Sequence, residues 1–528
     1  MWETLGAALL GAGLGVPVWL VPYTKVEESF TLQAVHDILT HGFAHGIQSY
    51  DHVQFPGAVP RSFLGPLLVA APCAPLVALA RLVGLDTSAE IQWVVRAVLA
   101  LATWASLVLF ARTVLRTPGV RPLFYVVCAT QFHLVFWASR TTPNGVAFPL
   151  VTAALAGVLG PGERSRMAGL AALALITCTL RLEVVGLAAP AYLWAWLSGH
   201  LSLPRCIALG AASCTVGGAV SLGIDSYFWH AVDRTRLPGL GTYVWPEAHA
   251  LLFNVVEGHS AEWGVAPWHA YFAKELPRLL APSLPLLVAG LVARPTRGLQ
   301  RLPLVTLSVF HTCLLSALAH KEWRFLVYTL PMWNALSAYG ARACVRRAPW
   351  AGRALVAACI GAGAFLLALY TYVSAHNYPG GAALRAAHER IEAPEVHLHI
   401  DTLAAMTGVS LFQCTHLARP PASLVPTRAP VWHYNKTEGL DADAPWCDFT
   451  HLLTESANCR VAGNDPLFTP LGAPIPGLVG VRRKSVRAYI EELLGIFRAR
   501  SLAAAWHAAI PVKVDTEPML YVCKRTGC

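Results

Sequence analysis

Glu27 and Glu28 set two carboxylates side by side just after the first apolar run of the chain. Neighbouring carboxylates split their ionisation, which leaves one charged and able to take a proton from a hydroxyl. In that chemistry one acid is a general base and the other orients the substrate. The alternative is a pair of solvated loop acids flanking Lys25. A second stretch, His320-Lys321-Glu322-Trp323-Arg324-Phe325, places cationic or potentially cationic side chains at the edge of an apolar run. Such a set suits a phosphate, with Lys and Arg on its oxygens. The alternative is snorkelling to lipid headgroups, with Lys321 or Arg324 paired to Glu322.

A third set is scattered: Arg61, Arg140 with Asn144, Arg181 with Glu183, and Asp225. Charges at membrane depth are costly and mark a function or a specific partner. Ion pairing between spans is the alternative for each. On a helix, Arg181 and Glu183 would point to different sides and need separate partners. Trp263, Trp268 and Tyr271 read as an interfacial aromatic belt in preference to a sugar platform. The 20 histidines are scattered, with no HExxH, and the 13 cysteines form no CxxC. These patterns give no reason to expect a bound metal.

The elements that must position these groups lie in a membrane. Of 528 residues, 55% are hydrophobic and 13% charged, where a soluble domain carries about a quarter charged. The net charge is +10, but its basic residues sit in short clusters between apolar runs. That is orientation signal and excludes a nucleic-acid surface. With about 20 apolar residues per span, candidate spans are 5–21, 63–83, 91–111, 122–138, 145–160, 167–180, 184–198, 206–223, 279–293, 303–319, 325–341 and 352–374. The first lacks a basic leader and an evident cleavage site and reads as a retained anchor, with a cleaved signal as the alternative. Between Pro22 and Gly42, a helix over Leu32–Thr40 would be amphipathic. Leu32, Val35, Ile38 and Leu39 would share one face, and Gln33, His36, Asp37 and Thr40 the other. Such a helix is expected to lie along the membrane surface.

Arg164/Arg166, Arg205, Arg294/Arg297/Arg301 and Arg342/Arg346/Arg347 fall on alternate loops, which are cytosolic by the positive-inside rule. The polar sets above, and the tail after Tyr378, then share the far side. The sequon Asn435-Lys436-Thr437 lies in that tail. If Arg112, Arg116 and Arg121 are cytosolic and the glutamates are not, parity fails, so one of 63–83, 91–111 or 122–138 is expected to be re-entrant or a half-span. From residue 376 the composition changes. Glu395–Asp401 alternates like a strand, Leu403–Leu411 and Arg487–Phe497 read as helices, and Met519–Cys523 as a closing strand. These form a small α/β domain, in which Cys414, Cys447, Cys459, Cys523 and Cys528 supply one or two disulfides in an oxidising compartment.

Together these residues resemble the dolichyl-phosphate-mannose-dependent mannosyltransferases of the endoplasmic reticulum, multispanning enzymes of the GT-C fold. His320-Lys321-Glu322 followed by Arg324-Phe325 is similar to the family hallmark. Glu27-Glu28 resembles its first lumenal carboxylate pair, with Glu27 where Asp is usual. Trp323 stands where a smaller or charged residue is common. Pro22–Phe30, Tyr50-Asp51-His52 with Phe55-Pro56-Gly57, Ser139-Arg140-Thr141 with Pro143-Asn144, Asp225–Trp229, Asn377–Gly381 and His399-Ile400-Asp401 are similar to the α-1,6 branch of the family. The resemblance runs from about residue 20 to about 415.

The resemblance implies an all-α polytopic membrane protein of the GT-C fold, with about 11–13 transmembrane helices over 1–375. The first lumenal loop would cover 22–62, and a lumenal α/β domain 376–528. It implies inverting transfer of mannose from dolichyl-phosphate mannose to the 6-hydroxyl of a dolichyl-diphosphate-linked oligosaccharide. Glu27 would be the base, with Glu28 next and Asp225 after it. His320, Lys321, Arg324 and Arg181 would hold the donor phosphate. Asp225, Arg61, Asp51, Arg140, Asn144 and Glu183 would stand about the sugars, and Asn435 would carry a glycan. No metal or other cofactor and no nucleic acid are expected. The partners are the two lipid-linked substrates and membrane lipids, with the active site on the lumenal side of the endoplasmic reticulum membrane. A sister enzyme acting on GPI-anchor precursors, and a lipid-oligosaccharide transporter without chemistry, are the alternatives.

Overall fold

The computed structural model describes all residues except 44–45, 58, 86, 234, 236–240, 294–301, 442, 462–466, 496–501 and 528. The Arg294/Arg297/Arg301 cluster and the side chain of Trp263 lie outside the described residues. The chain forms two compact units. One comprises 1–18, 30–76 and 94–367, and the other 19–29, 77–93 and 368–528. Where the sequence suggests a division at 375/376, the second unit also takes in two short N-terminal pieces.

Among the described residues, six helices are long and apolar enough to cross a membrane: Trp2–Leu20, Leu64–Leu82, Ser88–Val114, Leu203–Trp229, Tyr271–Val292 and Pro349–Ala375. Pro143–Leu159, Leu182–Leu197 and Leu302–Ser316 are shorter apolar helices. The run at 122–138 is broken into Val120–Ala129 and Phe132–Ser139, bent by 75°. The break falls at Gln131, whose backbone is extended. Its side chain donates to Leu279 O (2.8 Å) and accepts from Asn334 Nδ2 (2.8 Å). Freed polar groups at such a break need protein partners when water is absent. Asn334 lies in Leu330–Arg347, a helix buried on every side from Leu330 to Ala341. Its Gly340 meets Gly290 so closely that a Cβ on either would strike the carbonyl of Leu286 or Leu336. Small residues let membrane helices approach in this way.

Val26–His41 is one helix, but not an interfacial one. Gln33, His36, Asp37 and Thr40 are buried along with the apolar face. Their burial is tolerable because they are bonded. His36 Nδ1 and Asp37 Oδ1 lie 3.0 Å apart, and Asp37 Oδ2 accepts the Asp51 N–H at 2.7 Å.

In the second unit, β1 (Val396–Ile400), β2 (Trp432–Asn435), β3 (His451–Thr454), β4 (Phe468–Pro470), β5 (Ile475–Arg483) and β6 (Val512–Arg525) form a sheet. Their order is β2-β1-β3-β6-β4, with β5 also on β6. β2 and β3 flank β1 in parallel, while β6 runs antiparallel to β3. The helix Pro379–Arg390 covers the sheet through Ala383, Leu384 and Ala387, which pack with Val396, Leu398 and Val522. β6 starts well before Met519 because 512–518 pairs with β5. The helix after β1 stops at Met406 rather than Leu411, just before Gly408, whose φ of +132° no helix accommodates. Cys459 and Cys523 are disulfide-bonded, closing 64 residues, and Cys447 is disulfide-bonded as well. Within this unit, Gln92 Nε2 donates to Pro22 O and Gln92 Oε1 accepts from Ser410 Oγ. Those bonds bind the N-terminal pieces to the tail.

Candidate active site: a cationic cavity

In the first unit, three guanidinium groups converge. The loop before Leu64–Leu82 supplies Arg61, the turn after Glu163–Thr179 supplies Arg181, and the 3₁₀ segment Trp323–Thr329 supplies Arg324. Arg181 and Arg324 each repel Arg61 strongly enough that, after burial, they hold its guanidinium below its usual range. The Arg61 side chain is open to solvent, yet enough protein surrounds it to desolvate its guanidinium. Among the described residues its guanidinium makes no hydrogen bond or ion pair. Its backbone is fixed by the end of Leu203–Trp229. Trp229 Nε1 donates to Arg61 O at 3.0 Å, and Phe63 N–H donates to Asp225 Oδ1 at 2.7 Å.

The other two cations share their carboxylates. Arg324 Nε donates to Glu322 Oε2 at 2.5 Å, and His320 Nε2 lies 3.2 Å from Glu322 Oε1. Burial pushes the Glu322 carboxyl up, but Arg324 and His320 outweigh it and hold it below its usual range. Arg181 Nε donates to Glu183 Oε1 at 2.8 Å. The same oxygen accepts from Asn144 Nδ2 at 2.6 Å and faces the Tyr328 hydroxyl at 3.4 Å. Burial lowers the Arg181 guanidinium, but Glu183 and then Glu247 more than reverse this and keep it charged. Arg181 and Glu183 thus meet each other and have no need of separate partners. Arg181 is extended backbone ahead of a 3₁₀ turn, so the helical geometry that would separate them does not apply.

The sequence does not single out Glu247. It opens the short helix Pro246–Leu251, and its Oε2 accepts the Leu182 N–H at 2.6 Å. Burial, with Glu183 and Asp225 nearby, pushes its carboxyl up to about 8 despite Arg181. Three guanidiniums, of Arg61, Arg181 and Arg324, thus meet two paired carboxylates, of Glu183 and Glu322, an excess of positive charge.

Other sequence candidates have different places. Lys321 Nζ turns to the carbonyls of Ala266 (3.2 Å) and Leu318, not to the arginines. Asp225 is fully buried, with Ser221 Oγ on Oδ2 at 2.6 Å and Phe63 N–H on Oδ1. It positions the Arg61 loop and is sealed from any sugar or acceptor proton. Asn144 is committed to Glu183 and Tyr328. Arg140 is buried over the Phe136 ring at 4.6 Å, away from solvent. Asp51 opens the helix Asp51–Gln54 and gives its N–H to Asp37. Tyr271 is no belt residue, since it is buried and accepts the Glu322 N–H at 3.2 Å, whereas Trp268 is exposed.

The glutamate pair belongs to the second unit. Glu28 is buried, and its Oε1 accepts the Lys25 N–H at 3.1 Å, one half of a capping box. Glu27 is half-buried and makes no hydrogen bond or ion pair among the described residues. The two acids are therefore unequal: one caps the helix and the other is available. Asn435 ends β2, and its Oδ1 accepts the Thr437 N–H at 2.9 Å. Among the described residues, no group of three or more His, Cys, Asp or Glu could hold a metal.

Residues 9–410 match the model of the Alg9-like mannosyltransferase family. The chain belongs to that family. It is 31% identical to a probable Dol-P-Man:Man(7)GlcNAc(2)-PP-Dol alpha-1,6-mannosyltransferase of Schizosaccharomyces pombe, over 85% of this chain and 77% of that one. With the Drosophila melanogaster protein of that activity it shares 32% identity, over 96% of this chain and 68% of the other. Among solved structures, ArnT from Cupriavidus metallidurans bound to undecaprenyl phosphate aligns with a TM-score of 0.44 and 14% identity, covering 74% of this chain and 73% of that one.

Proposed function

We propose that this protein transfers mannose from dolichyl-phosphate mannose to the 6-hydroxyl of a mannose on the seven-mannose dolichyl-diphosphate oligosaccharide, in the endoplasmic reticulum membrane. The observation that carries the reading is the convergence of Arg61, Arg181 and Arg324 with positive charge to spare. A family member at this level of identity to two α-1,6 enzymes would use such a wall for the donor phosphate.

The acceptor oxygen attacks the anomeric carbon of mannose as the bond from that carbon to the phosphate oxygen breaks. The electron pair leaves on dolichyl phosphate, and the β linkage becomes α in one inverting displacement. Charge builds on the phosphate as it departs, so a preorganised guanidinium wall favours the transition state over the ground state. The acceptor proton goes to Glu27, the carboxylate without a bond of its own. Glu28 holds the helix start, and no step draws on a metal. The test is transfer of labelled mannose to the seven-mannose acceptor. An eight-mannose product is expected with wild type, and Glu27→Gln should lose about 100-fold or more. Near-normal transfer by the variant removes Glu27 from the role, and no product from wild type removes the acceptor assignment.

The tail is proposed to be lumenal and glycosylated at Asn435, whose amide nitrogen makes no hydrogen bond among the described residues. Glycosidase digestion should shift the mobility of wild type but not of Asn435→Gln. An unglycosylated wild type would remove this support for the topology.

A further inference from the structure

Glu247 makes no ion pair with a cation among the described residues. Its Oε2 receives the Leu182 N–H at 2.6 Å, which fixes the carboxyl but leaves its other oxygen without a partner among the described residues. The nearest guanidinium, Arg181, is committed to Glu183 at 2.8 Å. Arg61, which makes no ion pair among the described residues, lies within electrostatic reach of Glu247. A carboxyl anchored by one oxygen, half-buried and set beside the positive charge of Arg181 and Arg61, has two chemical options. As an anion it would cancel the charge the site needs and repel a phosphate. As a neutral acid its free O–H is a hydrogen-bond donor within electrostatic reach of Arg181 and Arg61.

We propose that Glu247 is a protonated hydrogen-bond donor to the phosphate of the lipid donor, acting beside Arg61 and Arg324. The inference rests on the donor-phosphate reading of the cavity and adds a residue to it. The proton is shared in a hydrogen bond and is not transferred. Burial and the anions facing it favour this state. Glu183 and Asp225 face Glu247 and raise it, Arg181 and the Leu182 N–H lower it, and the balance puts it near 8. On its own helix His249 is the other titratable group, and Arg61 adds positive charge from across the cavity. The sign follows. Below about 8 the acid is neutral and donates. Above it the proton is lost, a donor becomes an anion, and phosphate binding weakens.

The test is dolichyl phosphate affinity for the full-length protein, from about pH 7 to about 9.5, above the second ionisation of a phosphate monoester near about 6. Wild type should bind at least about tenfold more weakly at the alkaline end. In Glu247→Gln, which keeps an acceptor for Leu182 N–H and a donor for phosphate but cannot ionise, that dependence should disappear. Glu247→Ala should bind more weakly already at pH 7. A wild-type affinity flat in pH, or an unchanged alkaline fall in Glu247→Gln, overturns the role of Glu247 while leaving the cavity's. Failure of wild type to bind dolichyl phosphate at any pH overturns the donor-phosphate reading and this inference with it. The acceptor assignment is not tested by either result.

Discussion

Arginine–carboxylate pairs in two regions of this protein look alike and mean different things. On the sheet, Arg482 and Asp515 face each other across β5 and β6, with Nε to Oδ2 at 2.5 Å and Nη2 to Oδ1 at 2.7 Å. Charge and hydrogen bonds are both closed, and Arg482 is exposed to water. In the cavity, Glu322 is divided between Arg324 and His320, and Glu183 between Arg181 and Asn144. Arg61 joins them without a carboxylate of its own. The number of ion pairs does not distinguish the regions. The unspent positive charge does, and it is held where desolvation makes it costly. A fold retains such an arrangement when a ligand anion completes it.

Substitutions should separate the two regions sharply. The largest effect is expected in the cavity: Arg61→Ala or Arg324→Ala should lower kcat/KM for the mannosyl donor by about 10²–10³. A loss within about threefold would mean that the leaving phosphate lies elsewhere. Glu183→Gln should act on stability first. Removing one partner of a buried pair strands Arg181 and costs about 3 kcal/mol, read as a lower unfolding temperature; an unchanged temperature would class this pair with the surface ones. Arg482→Ala is the smallest. Exposed pairs contribute little, so neither mannose transfer nor unfolding temperature should change measurably. A loss there as large as at Arg324 would erase the distinction between the regions.

The sequence discloses the parts of the site better than their assembly. His320–Phe325 and Arg181/Glu183 stand out because charges beside apolar runs are rare. That Arg61 joins Arg181 and Arg324 is invisible along the chain, because the three come from separate segments brought together by helix packing. Glu247 lies in a segment without periodicity and nothing local distinguishes it. Reading Gln33, His36, Asp37 and Thr40 as a wet face fails for a related reason. The pattern is amphipathic, but their mutual bonds let the polar side be buried. In the tail, the alternation of 395–401 marks β1, a strand paired on both sides. The early part of β6 escapes notice because it pairs with β5 at the surface, where polar and apolar residues mix.

The most direct test of the central claim is a cryo-EM reconstruction of the protein with dolichyl phosphate bound. The phosphate is expected within hydrogen-bonding distance of Arg61 and at least one of Arg181 and Arg324. A phosphate seated outside hydrogen-bonding reach of all three guanidiniums would contradict the account.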